Sequence, residues 1–219
     1  MRSKQQKLTI LLAIFTAAII AANLMGTKIV TILGISMSVA IFVFPLTFLI
    51  TDAVAEVYGH QQAKQMVHAA MVALVIVMAV VALAVALPPA ARYEHNESYR
   101  IVFGNSLRIM FASLVAFIIS QRHDIWAFEF WKKQTKGKHL WLRNNLSTIV
   151  SQFLDTTLFM FLAFYHMAPK FGAAFVFSLI IPYWLVKVTF ALADTPFVYA
   201  LVNWLKHGAE SEQNASGER

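Results

Sequence analysis

The sequence predicts an all-α integral membrane protein of about six transmembrane helices, with the N- and C-termini in the cytoplasm. Three observations support this prediction. Of the 219 residues, 59% are hydrophobic and 13% are charged, a balance far from that of soluble domains. Six apolar stretches come close to the roughly 20 residues that a membrane-spanning helix needs. Most lysines and arginines lie between these stretches.

The predicted spans are separated by short connections that contain polar residues, glycine or proline. They cover residues 8–24, 32–51, 66–87, 101–121, 146–165 and 171–192. Pro88 and Pro89 stop the third span because proline cannot continue a helix. Pro182 lies inside the sixth span, and apolar character persists beyond it to Leu205. We therefore expect a break near 194–196.

The second span ends in two carboxylates, Asp52 and Glu56. Their spacing places them on one face of a helix, one turn apart. Pro45 removes a backbone hydrogen bond, which predicts a kink, and the hydroxyls of Thr47 and Thr51 can bond the freed carbonyls. A kinked helix with paired carboxylates suits a cation, a proton or a ligand rich in N–H donors.

The basic residues predict the orientation. With the N-terminus inside, the cytoplasmic segments hold 12 lysines and arginines and the opposite segments hold 4. We assign residues 1–7 to a cytoplasmic N-terminus, 8–205 to the six-span transmembrane domain and 206–219 to a disordered cytoplasmic tail. The N-terminus also resembles a signal peptide, but further spans follow and no persuasive cleavage site is present.

Ionisable residues inside apolar spans mark transport pathways or paired networks, because an isolated charge in the bilayer is costly. Arg108, Asp155 and Lys187 lie well inside predicted spans, and Asp124 and Asp194 lie near span ends. In one interpretation, the two basic residues pair with Asp155 and Asp194. In the other, these side chains line a pathway.

Asp155 is the central candidate for substrate binding. Gln152 lies on the same helical face, which builds a polar site within the fifth span. Asp52 and Glu56 on the second span and Asn145 at the start of the fifth complete the candidate set. The alternative for Asn145 is a helix N-cap.

A short motif occurs twice. Ser120-Gln121-x-x-Asp124 recurs as Ser151-Gln152-x-x-Asp155, and a Phe-x-Phe follows each copy. Internal repeats are common in transporters. The alternative is a chance match in an apolar, phenylalanine-rich chain.

The sequence argues against an enzyme. It has no cysteine, no G-x-S-x-G, no H-E-x-x-H and no glycine-rich phosphate loop, and its seven histidines are scattered singly. We predict no catalytic residue, no metal and no cofactor. The enzyme-class alternative is an intramembrane aspartyl protease that uses Asp155 and Asp194, although the Gly-x-Gly-Asp context expected of such proteases is absent.

Several polar motifs follow one another in a specific order. They are FPLTFLITDxxxEVYG at 44–59, RIxxAS at 108–113, QxxD at 121–124 and WLRNNxSTxxxQxxDT at 141–156. This ordered set closely resembles the bacterial queuosine precursor transporter family, also called the vitamin uptake transporter family, over roughly residues 10–205.

The resemblance implies a multi-pass protein of the bacterial inner membrane that imports 7-cyano-7-deazaguanine and 7-aminomethyl-7-deazaguanine, precursors of the tRNA nucleoside queuosine. A carboxylate can accept the ring N–H and the exocyclic amine of such a base, an amide can serve its carbonyl and an aromatic ring can cover its face. Asp155 and Gln152, facing Asp52 and Glu56, would supply these groups.

The expected partners are the small deazaguanine substrate and the lipid bilayer, not nucleic acid, and a homo-oligomer is left open. Proton coupling through a buried carboxylate would provide the energy for uptake. The alternative is a membrane substrate-binding subunit that depends on a separate ATPase.

Overall fold

A computed structural model describes residues 4–32, 34–135, 140–193 and 196–206 of the chain. The described residues form a bundle of long helices with one small β-hairpin. The elements are α1 (Lys4–Met25), β1 (Ile29–Ile32), β2 (Ile35–Ser38), α2 (Phe44–Tyr58), α3 (His60–Ala86), α4 (Asn96–Gln134), α5 (Leu140–Phe164) and α6 (Ala173–Ala193). A 3₁₀ turn over Val39–Phe42 joins the hairpin to α2, and residues 196–206 are helical.

The apolar helices confirm the prediction of an all-α membrane protein. Four described segments are long and apolar enough to cross a membrane: Lys4–Met25, Val39–Tyr58, His60–Ala86 and Asn96–His123. Two shorter apolar helices cover Ile149–Phe164 and Ala173–Thr189. These shorter segments lie in the predicted fifth and sixth spans, so the count of six spans stays a prediction.

The prediction of a helix from residue 32 is wrong, because residues 29–32 and 35–38 form two antiparallel strands. Ile29 pairs with Ser38 and Ile32 pairs with Ile35. β-Branched residues dominate the first strand, and Gly34 adopts a φ of +80° at the turn, where a side chain would be strained. Ile32 and residues 35–38, at the start of the predicted second span, therefore belong to two strands.

The predicted kink at Pro45 is also wrong. Pro45 lies in the first turn of α2, where its missing N–H costs no helical hydrogen bond. The Thr47 hydroxyl donates to the carbonyl of Phe44 (2.7 Å), and the Thr51 hydroxyl donates to the carbonyls of Thr47 (3.0 Å) and Phe48 (2.9 Å). The two threonines bond their own helix as expected, but Pro45 frees no carbonyl for them.

Helix α4 extends well beyond the predicted fourth span. Its 39 residues correspond to about 58 Å, against about 30 Å for the hydrocarbon core of a bilayer. Residues 122–134 contain no proline or glycine that would end the helix, and the helix packs along α5. The Thr135 N–H bonds the carbonyl of Trp131 at its end (2.9 Å).

Both ends of the described chain lie at one end of the bundle, which we call the terminal end. The Tyr58 hydroxyl donates to the carbonyl of Lys4 (2.8 Å), and the Lys7 ammonium donates to the carbonyl of Trp204. A buried cluster that includes Leu11, Ile50 and Leu205 connects α1, α2, α3 and the 196–206 helix there. The predicted break of the sixth element falls on 194 and 195, outside the described residues.

The opposite end, which we call the hairpin end, is closed by a second buried cluster. Ile41 of the 3₁₀ turn, Ile109 of α4, Phe164 of α5 and Tyr183 of α6 pack together in it. Met37 of the hairpin packs against this cluster. The space between the two clusters is where the helices leave a cavity.

Candidate ligand-binding site

A cavity of about 220 Å³ lies in the middle of the bundle, and each of the helices α1 to α6 contributes to its wall. It is smaller than the roughly 300–1,000 Å³ of pockets for drug-sized ligands, so it suits a compact molecule. Its wall combines aliphatic and aromatic side chains with a polar set. The polar side chains are Thr47, Thr51, Ser113, Ser120, Gln121, Gln152, Asp155 and Lys187.

An ion pair between α5 and α6 is the chemical centre of this cavity. The ammonium of Lys187 lies 3.1 Å from Oδ2 of Asp155 and donates a second hydrogen bond to the Thr156 hydroxyl (3.2 Å). The Ser120 hydroxyl of α4 donates to Oδ1 of Asp155 (3.3 Å). The side chain of Lys187 is 9% exposed and that of Asp155 is 25% exposed. The two charges therefore neutralise each other at the cavity wall.

Aromatic rings surround the ammonium. The ring centroid of Phe44 lies 5.4 Å from the Lys187 nitrogen, and that of Tyr183 lies 5.8 Å away. Both distances allow cation–π attraction. The two rings meet edge to face at 6.0 Å, which holds the Phe44 ring beside the cavity. Phe44, Phe48, Phe117 and Phe159 all line the cavity and can cover a flat ligand.

The two copies of the Ser-Gln motif lie on α4 and α5 and contact each other. Ser120 bonds Asp155, and His123 Nδ1 lies 2.9 Å from the Ser151 hydroxyl. These contacts and those of Arg108 with the end of α5 show that the two helices run antiparallel. Gln121 and Gln152, one from each copy, both line the cavity. Both copies therefore contribute a side chain to the cavity wall, and a structural repeat stays a prediction.

A second cavity of about 480 Å³ lies between the first cavity and the terminal end. The two cavities share Thr51, Val67, Phe117 and Gln121 in their walls. Ionisable side chains from three helices line the second cavity. They come from the end of α2, the first half of α3 and the second half of α4. They are Asp52, His60, Lys64, His68 and Arg122. Because it shares a wall with the first cavity and carries charged side chains, we call the second cavity the vestibule.

The structure brings together some of the candidate substrate-binding residues and separates others. Gln152 and Asp155 line the first cavity. Asp52 lines the vestibule, and Glu56 is exposed one turn further along α2 and lines neither cavity. Asn145 lies on α5, but its side chain falls outside the described residues.

Of the two basic residues expected to pair with carboxylates, the structure pairs Lys187 with one and Arg108 with main-chain carbonyls. Lys187 pairs with Asp155, which is one of the pairs that the sequence suggested. Arg108 instead donates to the main-chain carbonyls of Leu162 (2.8 Å) and Tyr165 at the end of α5. A cation there compensates the negative end of the helix dipole.

Asp124 lies on α4 and Asp194 follows α6, but the side chain of the first and the whole of the second fall outside the described residues. Sequence reasoning did not select Ser120, Thr156 or Phe44 as site residues. Ser120 belongs to the repeated motif, and Thr156 follows Asp155 directly. Phe44 carried no signal beyond its place before Pro45. Within the described ranges, no three histidine, aspartate or glutamate side chains come together as a metal site requires.

A bundle of apolar helices around a cavity that contains an ion pair is an architecture that suits a membrane transport protein. The family model described as "Putative vitamin uptake transporter" matches residues 38–201, and the chain belongs to this family. The family predicted from the ordered polar motifs is therefore confirmed.

Two curated relatives match most of the chain. The "Probable queuosine precursor transporter" of Bacillus subtilis (strain 168) is 29% identical over 184 residues, which cover 84% of this chain and 79% of the relative. The "Queuosine precursor transporter" of Escherichia coli (strain K12) is 23% identical over 173 residues, which cover 78% of this chain and 76% of the relative. No solved structure gives a significant match.

Proposed function

We propose that this chain imports queuosine precursors, 7-cyano-7-deazaguanine and 7-aminomethyl-7-deazaguanine, across the bacterial inner membrane for queuosine salvage. The two named relatives, each aligned over more than three quarters of this chain, support the substrate class. The observation that carries the proposal is the compact cavity in which Asp155 and Gln152 lie among phenylalanine rings.

The chemistry of the cavity fits a deazaguanine. The carboxylate of Asp155 can accept the ring N–H and the exocyclic amine together, and such charge-assisted hydrogen bonds are stronger than neutral ones. Gln152 can donate and accept from the same helical face. The phenylalanine rings cover an aromatic base. Asp52 at the vestibule, Glu56 one turn further along α2 and Asn145 on α5 remain proposed contacts during entry or exit.

In the proposed topology, the chain crosses the membrane six times with both termini in the cytoplasm. The adjacency of Lys7 and Trp204 supports placing the two ends of the described chain on one side. The excess of lysine and arginine in the segments at that end supports the cytoplasmic side. The vestibule then opens toward the cytoplasm, as release of an imported base requires.

Queuosine in tRNA provides the test. Cells that can neither synthesise nor import the precursor are supplied with 7-cyano-7-deazaguanine, with and without the gene for this chain. The proposal predicts queuosine in tRNA only when the chain is expressed. Absence of queuosine despite normal amounts of the protein in the membrane contradicts it.

The source of energy separates the two forms of the proposal. Uptake that survives ATP depletion and collapses with a protonophore supports a proton-coupled transporter. Uptake that fails on ATP depletion, with an ATPase that copurifies with the chain, supports a substrate-binding subunit of a larger complex. The proton-coupled form is the one that we favour, because a carboxylate and an ammonium are paired at the wall of the cavity itself.

A further inference from the structure

We infer that Lys187 recognises the 6-oxo group of the base and thereby determines specificity for a 2-amino-6-oxopyrimidine edge over a 6-amino one. The inference rests on the proposed function, because it concerns how the same cavity selects its ligand. Three observations carry it: the hydrogen bonds of Asp155, those of Lys187 and the neutrality of the pair.

Asp155 keeps acceptor capacity for a ligand. An ionised carboxylate has about four lone-pair sites on its two oxygens. Ser120 occupies one site on Oδ1, and Lys187 occupies one site on Oδ2. Each oxygen therefore retains an acceptor site, and the side chain is 25% exposed at the cavity wall. Two N–H donors that lie side by side on a ligand can use both.

Lys187 keeps a donor for the same ligand. An ammonium has three N–H donors. Two of them bond Asp155 (3.1 Å) and Thr156 (3.2 Å), and these bonds fix the nitrogen beside Oδ2. The rings of Phe44 and Tyr183 lie within 6 Å of it. Among the described residues none accepts the third N–H, and because Lys187 lines the cavity, a ligand there can accept it.

The pair thus presents a row of two acceptors followed by one donor. The complementary row is two donors followed by one acceptor, which is the order of the 2-amine, the ring N–H and the 6-oxo group of a guanine-type base. A 2,6-diamino base presents a donor, an acceptor and a donor. Its ring nitrogen would face the carboxylate and its 6-amine would face the ammonium, so two of three positions would be mismatched.

Neutrality points to the same class of ligand. The charges of Lys187 and Asp155 cancel, so the binding edge of the ligand needs no charge of its own. A site built to hydrogen-bond a particular polar edge rejects analogues that leave its buried groups unpaired much more strongly than an apolar pocket rejects a missing methylene.

Ligand competition on the purified full-length chain tests the inference. Radiolabelled 7-cyano-7-deazaguanine is displaced with 7-deazaguanine, 7-deazahypoxanthine or 7-deaza-2,6-diaminopurine. In the wild type we expect 7-deazaguanine to bind most tightly. 7-Deazahypoxanthine should bind less tightly because it lacks the 2-amine, and the diamino analogue should bind at least about 100-fold more weakly than 7-deazaguanine.

Lys187→Met should weaken the affinity for 7-deazaguanine by about 10- to 150-fold, which is the effect of one hydrogen bond from a charged donor. The affinity for the diamino analogue should be unchanged or higher.

Lys170→Met, which removes an exposed lysine outside both cavities, is the matched control and should retain the wild-type preference. If Lys187→Met does not fold, the double variant Asp155→Asn/Lys187→Met leaves no unpaired charge. Its amide replaces the two acceptor oxygens of Asp155 by one acceptor and one donor. This double variant should bind the diamino analogue more tightly than 7-deazaguanine.

The failures of the two proposals are distinguishable. Failure of the wild type to bind any 7-deazaguanine contradicts the proposed function. If the wild type binds 7-deazaguanine tightly and Lys187→Met keeps the same ratio of 7-deazaguanine affinity to diamino affinity, only the proposed role of Lys187 is overturned. Because the readout is a ratio of affinities, a lower yield of folded variant does not affect it.

Discussion

Lys187 of α6 and Asp155 of α5 form a salt bridge of 3.1 Å at the wall of a cavity that six helices share. The pair removes net charge from the centre of an apolar bundle. It also joins two helices whose relative position defines the cavity. Stability and ligand binding are therefore both expected to depend on it, but in ways that mutations can separate.

The first prediction concerns the stability of this pair. Asp155→Asn and Lys187→Met each leave one charge without its partner, whereas the double variant leaves neither. Breaking a fully buried pair costs about 3–5 kcal/mol, and the partial exposure of Asp155 reduces this to about 1–3 kcal/mol here. Thermal unfolding in detergent should show both single variants less stable than the double variant.

Uptake should behave differently from stability in the same three variants. All three lose a ligand contact, so each should import 7-cyano-7-deazaguanine at least about 10-fold more slowly than the wild type at sub-saturating concentrations, even where the double variant restores the amount of protein in the membrane. Near wild-type uptake by Asp155→Asn at normal membrane abundance would remove Asp155 from the site and shift the proposal to Asp52 and Glu56.

The second prediction concerns Arg108, whose guanidinium bonds the carbonyls of Leu162 and Tyr165. Arg108→Gln should lower the free energy of unfolding by about 1.5–3 kcal/mol, because hydrogen bonds from a charged donor to the end of α5 are lost. The exposed Arg100, on the same helix, provides the control Arg100→Gln, which should unfold like the wild type. Equal stability of both variants, with uptake lost only in Arg108→Gln, would instead place Arg108 in the transport pathway.

The third prediction concerns topology. A reporter fused after Lys206 should be cytoplasmic, and one inserted near Glu97, in the first turn of α4, should be external. Paired alkaline phosphatase and fluorescent-protein fusions measure this directly. The reverse pattern would contradict the orientation, and with it the cytoplasmic opening of the vestibule.

The fourth prediction concerns the route between the two cavities, and the absence of native cysteine makes it straightforward to test. Gln121 lines both cavities, whereas Ala55 lines only the vestibule. A thiol reagent added from the cytoplasmic side should modify both Gln121→Cys and Ala55→Cys. Bound 7-cyano-7-deazaguanine should protect Gln121→Cys and leave Ala55→Cys reactive. Equal modification of Gln121→Cys with and without the base would show that the ligand does not occupy the first cavity.

The bodies of most helices could be predicted from the sequence, because an apolar run of about 20 residues has few alternatives. Helices α1, α3, α5 and α6 overlap the predicted spans closely. Asp155 and Gln152 could be selected as neighbours, since a spacing of three residues on a helix places side chains on one face.

Other features depend on tertiary structure that hydropathy does not encode. Residues 29–38 are as apolar as a span, but 29–32 and 35–38 pair as two antiparallel strands that pack against α4, α5 and α6. Pro45 starts a helix instead of bending one, which depends on where the helix begins. The contacts of Ser120 and Lys187 with Asp155 depend on the register of α4 and α6 against α5, and no local pattern specifies that register.

The most direct measurement is uptake of radiolabelled 7-cyano-7-deazaguanine into proteoliposomes that contain only the purified chain and carry an inward proton gradient. Our account predicts saturable uptake that a protonophore abolishes, that excess 7-deazaguanine inhibits and that Asp155→Asn/Lys187→Met lacks. Lys170→Met should transport like the wild type. Absence of uptake by the folded, reconstituted wild type, or equal uptake by the double variant, would contradict it.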